Sequence, residues 1–339
     1  MFDIIKELCL LNSVSGNEDK VREYIISKIE GRCEYNVDPL GNIIAFKKGK
    51  KLAKNKVMIS AHMDEVGMII TSVSEDGTLL FDTVGGVDAR AIIGRNVLVG
   101  DKNIPGVIGS KAIHLQTSDE KNQPIKTENL YIDIGADLKQ RALQFVKLGD
   151  FTSFDSEYLE LGDGFIKGKA LDDRIGCAIM IDMINSDLEY DAYFTFVVQE
   201  EVGLRGAKVA SYTVEPDFAI VLEATTAADI SSVSGADKVC ICGDGAVVSF
   251  MDRHTIYDKE LYNFAFEVAN QNNILCQTKT KVAGGNDAGA IHTSKSGVRT
   301  LAISAPCRYL HTASCMLKKS DVLAVRELAK NMFKKMASL

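Results

Sequence analysis

Two adjacent glutamates, Glu200 and Glu201, close the apolar run at residues 192–198, in the stretch QEEVGLRGA. Successive side chains on a strand point to opposite faces, so a regular strand could not deliver both carboxylates to one site. It could if the strand ends there and the backbone turns, and Gly203 and Gly206 supply the turn signals. His62 in AHMDEVG, Asp172 in ALDDR, Glu223 in VLEATT and His311 in RYLHTAS also fall at the ends of predicted strands or helices. Imidazole nitrogen combined with carboxylate oxygen suits zinc, cobalt or manganese, whereas structural zinc favours thiolates. Two histidines and three carboxylates suffice for two metals when one carboxylate bridges, and ions ~3.5–4 Å apart can hold a hydroxide and polarise a carbonyl. Glu200 is then the spare carboxylate, taking the proton from the bridging water while Glu201 binds metal. Asp64 lies two residues beyond His62, on the same face of an extended path, where it would orient the imidazole.

Taken singly, each residue has an ordinary structural explanation. Asp172 and Asp173 at a helix start would cap it and compensate its dipole. Glu200, Glu201 and Glu223 would be solvated strand ends. His114, His254 and His292 read as makers of structural hydrogen bonds. Gly284–Asp287 reads as a glycine turn entering a helix, able to line a pocket. Glycoside hydrolysis is disfavoured, because its two carboxylates must flank the sugar at ~5–9.5 Å and adjacent residues cannot easily do so.

The elements that must position these groups follow from periodicity. Phe2, Ile5 and Leu8 share a helical face. The capping-box spacing of Ser15 to Glu18 predicts a second helix carrying Val21, Tyr24, Ile25 and Ile29. The continuous apolar run from Val57 to Ile59 predicts a strand buried on both faces and ending at His62. From residue 66 to 162 short β-rich runs alternate with glycine turns, with helical spacing only near ADLKQRALQFV; this predicts an inserted small barrel or sandwich. Beyond Gly168 strands and helices alternate: a buried helix from Asp172, strands over 192–198, 218–222 and 300–304, a helix over 259–271, and a closing amphipathic helix over 320–336. The class is α/β, with the sheet covered on both faces and its site at the strand ends.

Composition sets the outer bounds. The 339 residues carry a net charge of -7, 46% hydrophobic and 25% charged residues, and only 5 prolines. Such a chain is globular and offers no basic footprint for nucleic acid. The 8 cysteines lack paired metal-ligand or redox spacing, and Cys177 and Cys240 read as reduced core thiols. The amino terminus does not read as a signal peptide and no apolar run approaches the ~20 residues of a membrane span, so a soluble, cytoplasmic protein is expected.

Together AHMDEVG, GKALDDRIG, QEEVGLRGA, VLEATT, GGNDAGAIH and RYLHTAS resemble, in order over nearly the whole chain, the M42 family of metallo-aminopeptidases, the glutamyl and tetrahedral aminopeptidase group. The resemblance implies a di-metal peptidase domain with a mixed central sheet flanked by helices (residues 1–65 and 163–339) and an inserted PDZ-like β-barrel domain (66–162) used in dimerisation. It implies two divalent metal ions, zinc or cobalt or else manganese. His62, Asp172 and Glu223 would bind one, and Asp172, Glu201 and His311 the other, with Glu200 as general base and Asp64 orienting His62. The implied activity is hydrolysis of N-terminal residues from peptides with a free amino end, by a homo-oligomer built from dimers and extending to a tetrahedral dodecamer. A di-metal deacylase acting on N-acylated amino acids uses similar ligands and is the competing reading; a metal-stabilised scaffold is the non-enzymatic one. Two departures from the family pattern stand out: Glu223 where many members carry aspartate, and Thr312–Cys315 where a Ser-Pro is frequent. Arg253, Lys279, Lys281 and Arg308 are the cations that could meet an acidic substrate side chain, and the sequence does not choose among them.

Overall fold

A strand that is apolar on both faces must lie inside a sheet covered on both sides. The strand Val57–His62 is buried at all six positions in the computed structural model, which describes residues 1–339. It runs parallel to Ala192–Val197 on one side and to Phe218–Thr226 on the other, and Arg299–Cys307 continues the parallel block. Antiparallel strands extend this block at both ends: Ile43–Lys47 and Glu34–Val37 at one edge, Ala246–Val248 at the other, where Cys276–Thr278 completes the eight-stranded mixed sheet.

The helices divide between the two faces. Phe2–Leu10, Asp19–Ile29, Leu171–Asn185, Lys259–Gln271 and Lys319–Ser338 bury their apolar stripes in one large core that includes Phe194, Phe196, Leu222 and Ile303. Arg205–Val214 and Ala288–Ile291 cover the opposite face through Ala207, Ala210 and Ile291 against Val197, Val221 and Ala302. The predicted inward stripe of the last helix, from Val322 to Phe333, is buried throughout. No helix is long and apolar enough to cross a membrane.

The β-rich stretch is a closed barrel of six strands between Gly67 and Phe154, in the order Gly67–Val73, Leu79–Val84, Leu130–Asp133, Ile104–Ser110, Asn96–Val99, Phe151–Phe154. It has its own buried cluster, including Met68, Leu79, Val97, Ile132 and Phe154. The helical spacing near ADLKQRALQFV yields only the turn Lys139–Ala142.

Two local expectations fail for one reason: tertiary partners outbid local caps. Ser15 does not cap a helix, since the helix begins at Asp19 and the Ser15 hydroxyl donates to Asp64 at 2.6 Å instead. Asp172 is not the cap of its helix either. Asp173 accepts the Gly176 N–H at 3.0 Å, while Asp172 sits just outside helical geometry and turns to the site. The strand holding Glu223 runs on to Thr226, so this residue lies inside a strand rather than at its end. Cys177 and Cys240 are buried as expected, and all eight thiols are free.

Candidate metal centre

Four parallel strands deliver their carboxyl ends to one place. His62 is the last residue of its strand, Glu223 lies near the end of the next, and the loops after Val197 and Cys307 carry Glu200, Glu201 and His311. Asp172 enters from the start of the helix Leu171–Asn185. All six line one cavity of about 790 Å³, large enough for the end of a peptide.

Asp172 stands between the two imidazoles. Its Oδ1 lies 3.5 Å from His62 Nε2 and its Oδ2 3.5 Å from His311 Nε2. His311 Nε2 is also 3.4 Å from Glu201, and His62 Nε2 is 3.9 Å from Glu223. These separations are long for hydrogen bonds. The three shorter ones match the edge of a tetrahedron whose ligands lie ~2.0–2.1 Å from a common zinc-like centre, about 3.4 Å, and the His62–Glu223 separation is longer. Asp172 Oδ1 and Glu223 Oε1 are buried without any hydrogen-bond partner, as oxygens awaiting a cation would be. Ligand-capable atoms of His62, Asp172 and Glu201 fall within 4.8 Å of one another, as do those of Asp172, Asp173 and Glu223. Asp172 belongs to both groups, and the donor set fits two hard-to-borderline divalent cations. Asp173 was not foreseen in this cluster; one of its oxygens is committed to the Gly176 N–H.

The imidazoles are held from behind. His62 Nδ1 faces Asp64, 3.2 Å from its carbonyl oxygen and 3.4 Å from Oδ1. His311 Nδ1 lies 3.1 Å from the carbonyl oxygen of Gly86, a residue between barrel strands, so the barrel side of the molecule orients this ring. In each case the inner nitrogen is occupied, which leaves Nε2 turned to the cluster.

The glutamate pair reaches one site because the strand breaks at an unexpected residue. Gln199 has φ 57, a left-handed conformation the sequence does not advertise. Asp64 then accepts the N–H of Glu200 through Oδ1 at 3.0 Å and that of Glu201 through Oδ2 at 3.1 Å. Glu18 accepts the Gln199 N–H at 3.1 Å, and Asn42 accepts the Val198 N–H at 3.0 Å while donating to the Gly206 carbonyl. Gly206 is required by close packing: a Cβ there would lie 2.3 Å from the Val198 oxygen. The Glu201 carboxylate faces His311, whereas that of Glu200 lines the cavity with no hydrogen-bond or ion-pair partner.

The field of the site follows from crowding. Burial raises the carboxyl pKa values of Glu200 and Glu223 well above the ordinary range and that of Glu201 to about 7, with neighbouring carboxylates adding to it. Asp172, despite its burial, is held below its ordinary value by the two imidazoles it faces. Burial opposes the charged form of His311, but Asp172 and Glu201 overcome this and raise it to about 9. A cavity with this excess of carboxylates demands positive charge.

Sequence reading missed several partners, all long-range: Ser15, Glu18, Asn42 and the Gly86 carbonyl, together with Asp287, wholly buried with neither oxygen partnered and raising the pKa of nearby Glu200. His254, expected to be structural, lines the cavity, as do Gly284, Gly285 and Asn286 of the predicted glycine turn. His292, whose Nδ1 meets the Ala288 carbonyl at 2.7 Å, is structural as expected.

The family model described as M42 glutamyl aminopeptidase matches residues 41–328. The chain belongs to the M42 family. A protein of Acetivibrio thermocellus carrying the provisional name of an aminopeptidase is 40% identical over 95% of both chains. A TET aminopeptidase from a marine-sediment Thaumarchaeota archaeon superposes with a TM-score of 0.94 at 31% identity, covering 99% of this chain and 96% of that one. The TET1 peptidase of Pyrococcus horikoshii, described as assembling into a tetrahedron or a large octahedral shell, has a TM-score of 0.85 at 33% identity over 98% of both chains. The mixed α/β architecture with its closed barrel is therefore that of the M42 fold.

Proposed function

We propose that this M42 protein is a metal-dependent aminopeptidase that removes N-terminal residues from peptides. His62, Asp172 and Glu223 would hold one divalent cation and Asp172, Glu201 and His311 the other, zinc or cobalt or else manganese. When bound, the ions polarise the scissile carbonyl and acidify the attacking water. Glu200 takes the proton from that water and passes it to the leaving amine, a role suited to a cavity-facing carboxylate whose pKa burial has raised. Asp64 keeps His62 oriented and holds the backbone of the glutamate pair.

The observation that carries the reading is the position of Asp172, whose two oxygens face two different imidazoles at 3.5 Å. A panel of aminoacyl chromogenic amides, each paired with an amino-blocked counterpart, tests it on protein stripped by chelator and reloaded with cobalt, zinc or manganese. Metal-dependent cleavage of only the free-amine substrates is expected. Cleavage of the blocked ones instead would favour the deacylase, and silence from folded, metal-loaded protein the scaffold.

Residues 1–65 and 163–339 form the catalytic unit and 66–162 the inserted one in this reading. The family resemblance, together with a relative described as assembling into a tetrahedron or a large octahedral shell, supports a homo-oligomer; in this reading it is built from dimers and works on peptides in the cytoplasm.

A further inference from the structure

One imidazole of the cavity wall belongs to neither group of metal-ligating atoms. His254 lies in the tight loop between Met251 and Ile256, which pair as an antiparallel bridge, and it lines the cavity. Its ring has no hydrogen-bond or ion-pair partner, and its backbone N–H donates to Asp252 Oδ1 at 2.8 Å. An exposed side chain without partners ordinarily changes rotamer freely. This one sits on a braced loop. Asp252 Oδ1 also accepts the Thr255 N–H at 2.8 Å, and its Oδ2 accepts the Tyr257 hydroxyl at 2.6 Å. The Arg253 N–H donates to the Gly284 carbonyl at 2.9 Å, which docks the loop on the segment leading into the short helix Ala288–Ile291.

The ring lies in a gap left by two glycines. A Cβ on Gly285 would overlap His254 Cδ2, and one on Gly289 would lie 2.7 Å from His254 Cβ. Neither glycine has a left-handed backbone, so what each supplies is space. The same point on Gly289 is 3.1 Å from Leu204 Cδ1, and the Leu204 N–H donates to the Glu200 carbonyl at 2.9 Å. His254 therefore stands on the wall that carries Glu200. Asn286, which lines the cavity beside it, is already committed. Its amide donates to the Tyr257 hydroxyl at 3.0 Å and accepts the Ala288 N–H at 2.9 Å.

In the aminopeptidase reading Glu200 passes its proton to the leaving amine, so the leaving residue must run along this same wall. Resting on that reading, we propose that His254 is a substrate-binding residue that donates a ring N–H to the main-chain carbonyl of the residue after the scissile bond. An imidazole has a ring N–H to give in either tautomer. A substrate carbonyl taken out of water needs such a donor. The contact uses an atom that every peptide has, so it favours peptides over other aminoacyl amides without selecting a sequence.

The test uses metal-loaded enzyme and two amides of the amino acid it removes fastest. The glycinamide has the carbonyl in question, whereas the 2-naphthylamide has a leaving group with no acceptor. His254→Ala should lower kcat/KM for the glycinamide by about tenfold, as loss of one hydrogen bond does, and leave the naphthylamide within about twofold. His254→Gln, which keeps a donor, should recover part of the loss. Equal losses on both amides would make His254 structural, and an undiminished rate on the glycinamide would leave it without a role. Either result overturns the assignment while the aminopeptidase stands. If the metal-loaded wild type cleaves neither amide, the aminopeptidase reading itself falls.

Discussion

The carboxylate of Asp64 accepts the backbone N–H of Glu200 at 3.0 Å, across 136 residues of sequence. The same side chain receives Glu201 N–H and the Ser15 hydroxyl and faces His62 Nδ1. One buried group thus sets both the ring that would hold a metal and the turn that delivers Glu200, the proposed general base. Asp64→Asn, whose amide replaces one of two acceptor oxygens with a donor, should weaken metal binding by about 10–100-fold. It should also lower kcat at saturating metal, because the Glu200 turn shifts. Competition with a chromogenic chelator and steady-state rates on the same protein check both.

Glu200→Gln should reduce kcat by about 10²–10⁴-fold with metal content unchanged, since the amide cannot take a proton. Elemental analysis beside the rate measurement separates this from ligand loss. Loss of metal together with activity would make Glu200 a ligand and not the base.

The barrel side orients His311 through the Gly86 carbonyl, and a Cβ on Gly86 would lie 3.1 Å from the ring nitrogen. Gly86→Val should displace His311 and weaken the cation held with Glu201 more than the one held at His62. A metal titration resolving two affinities should show one step move by about tenfold or more and the other stay.

Glu18 gives a pH dependence of stability. Burial raises its carboxyl to about 7 from 4.5, against the hydrogen bonds it accepts from Gly16 and Gln199. The folded protein therefore binds more proton than the unfolded chain between these values. This group's contribution is most favourable below about pH 4.5 and is lost as pH rises through about 7. Glu18→Gln keeps the accepting Oε1 and removes the ionisation, so it should be more stable than wild type above pH 7, by about 1–3 kcal/mol, and show a flatter profile. Urea midpoints of metal-free protein from pH 5 to 8 check the sign.

Asn42 braces the strand end through the Val198 N–H and the Gly206 carbonyl. Asn42→Ala leaves the Val198 N–H unpaired in a buried position and should cost about 1–3 kcal/mol by chemical denaturation.

The sequence was most informative where chemistry and periodicity coincide. The Val57–Ile59 run announces an interior strand, and the strand and helix ends point to His62, Asp172, Glu201 and His311 as one group. What it hid depends on distant partners. Nothing about Gln199 signals a left-handed turn, because glutamine has no preference for one and the hydrogen bonds that hold it come from Asp64, Glu18 and Asn42. Ser15 carries a capping pattern yet serves Asp64, since a buried carboxylate gains more from a hydroxyl than an exposed helix end does. Asp172 and Asp173 exchange roles for the same reason, the cluster taking the first and the helix the second. Among Arg253, Lys279, Lys281 and Arg308, only Lys279 lines the cavity, which the strands decide and the sequence does not.

The most direct measurement is the rate of hydrolysis of the aminoacyl p-nitroanilide that this protein cleaves fastest, as metal-free protein is titrated with cobalt or zinc. The arrangement around Asp172 predicts negligible activity without metal and a rise that reaches its plateau at two equivalents per chain. A plateau at one equivalent, or a rate indifferent to chelation, would contradict it.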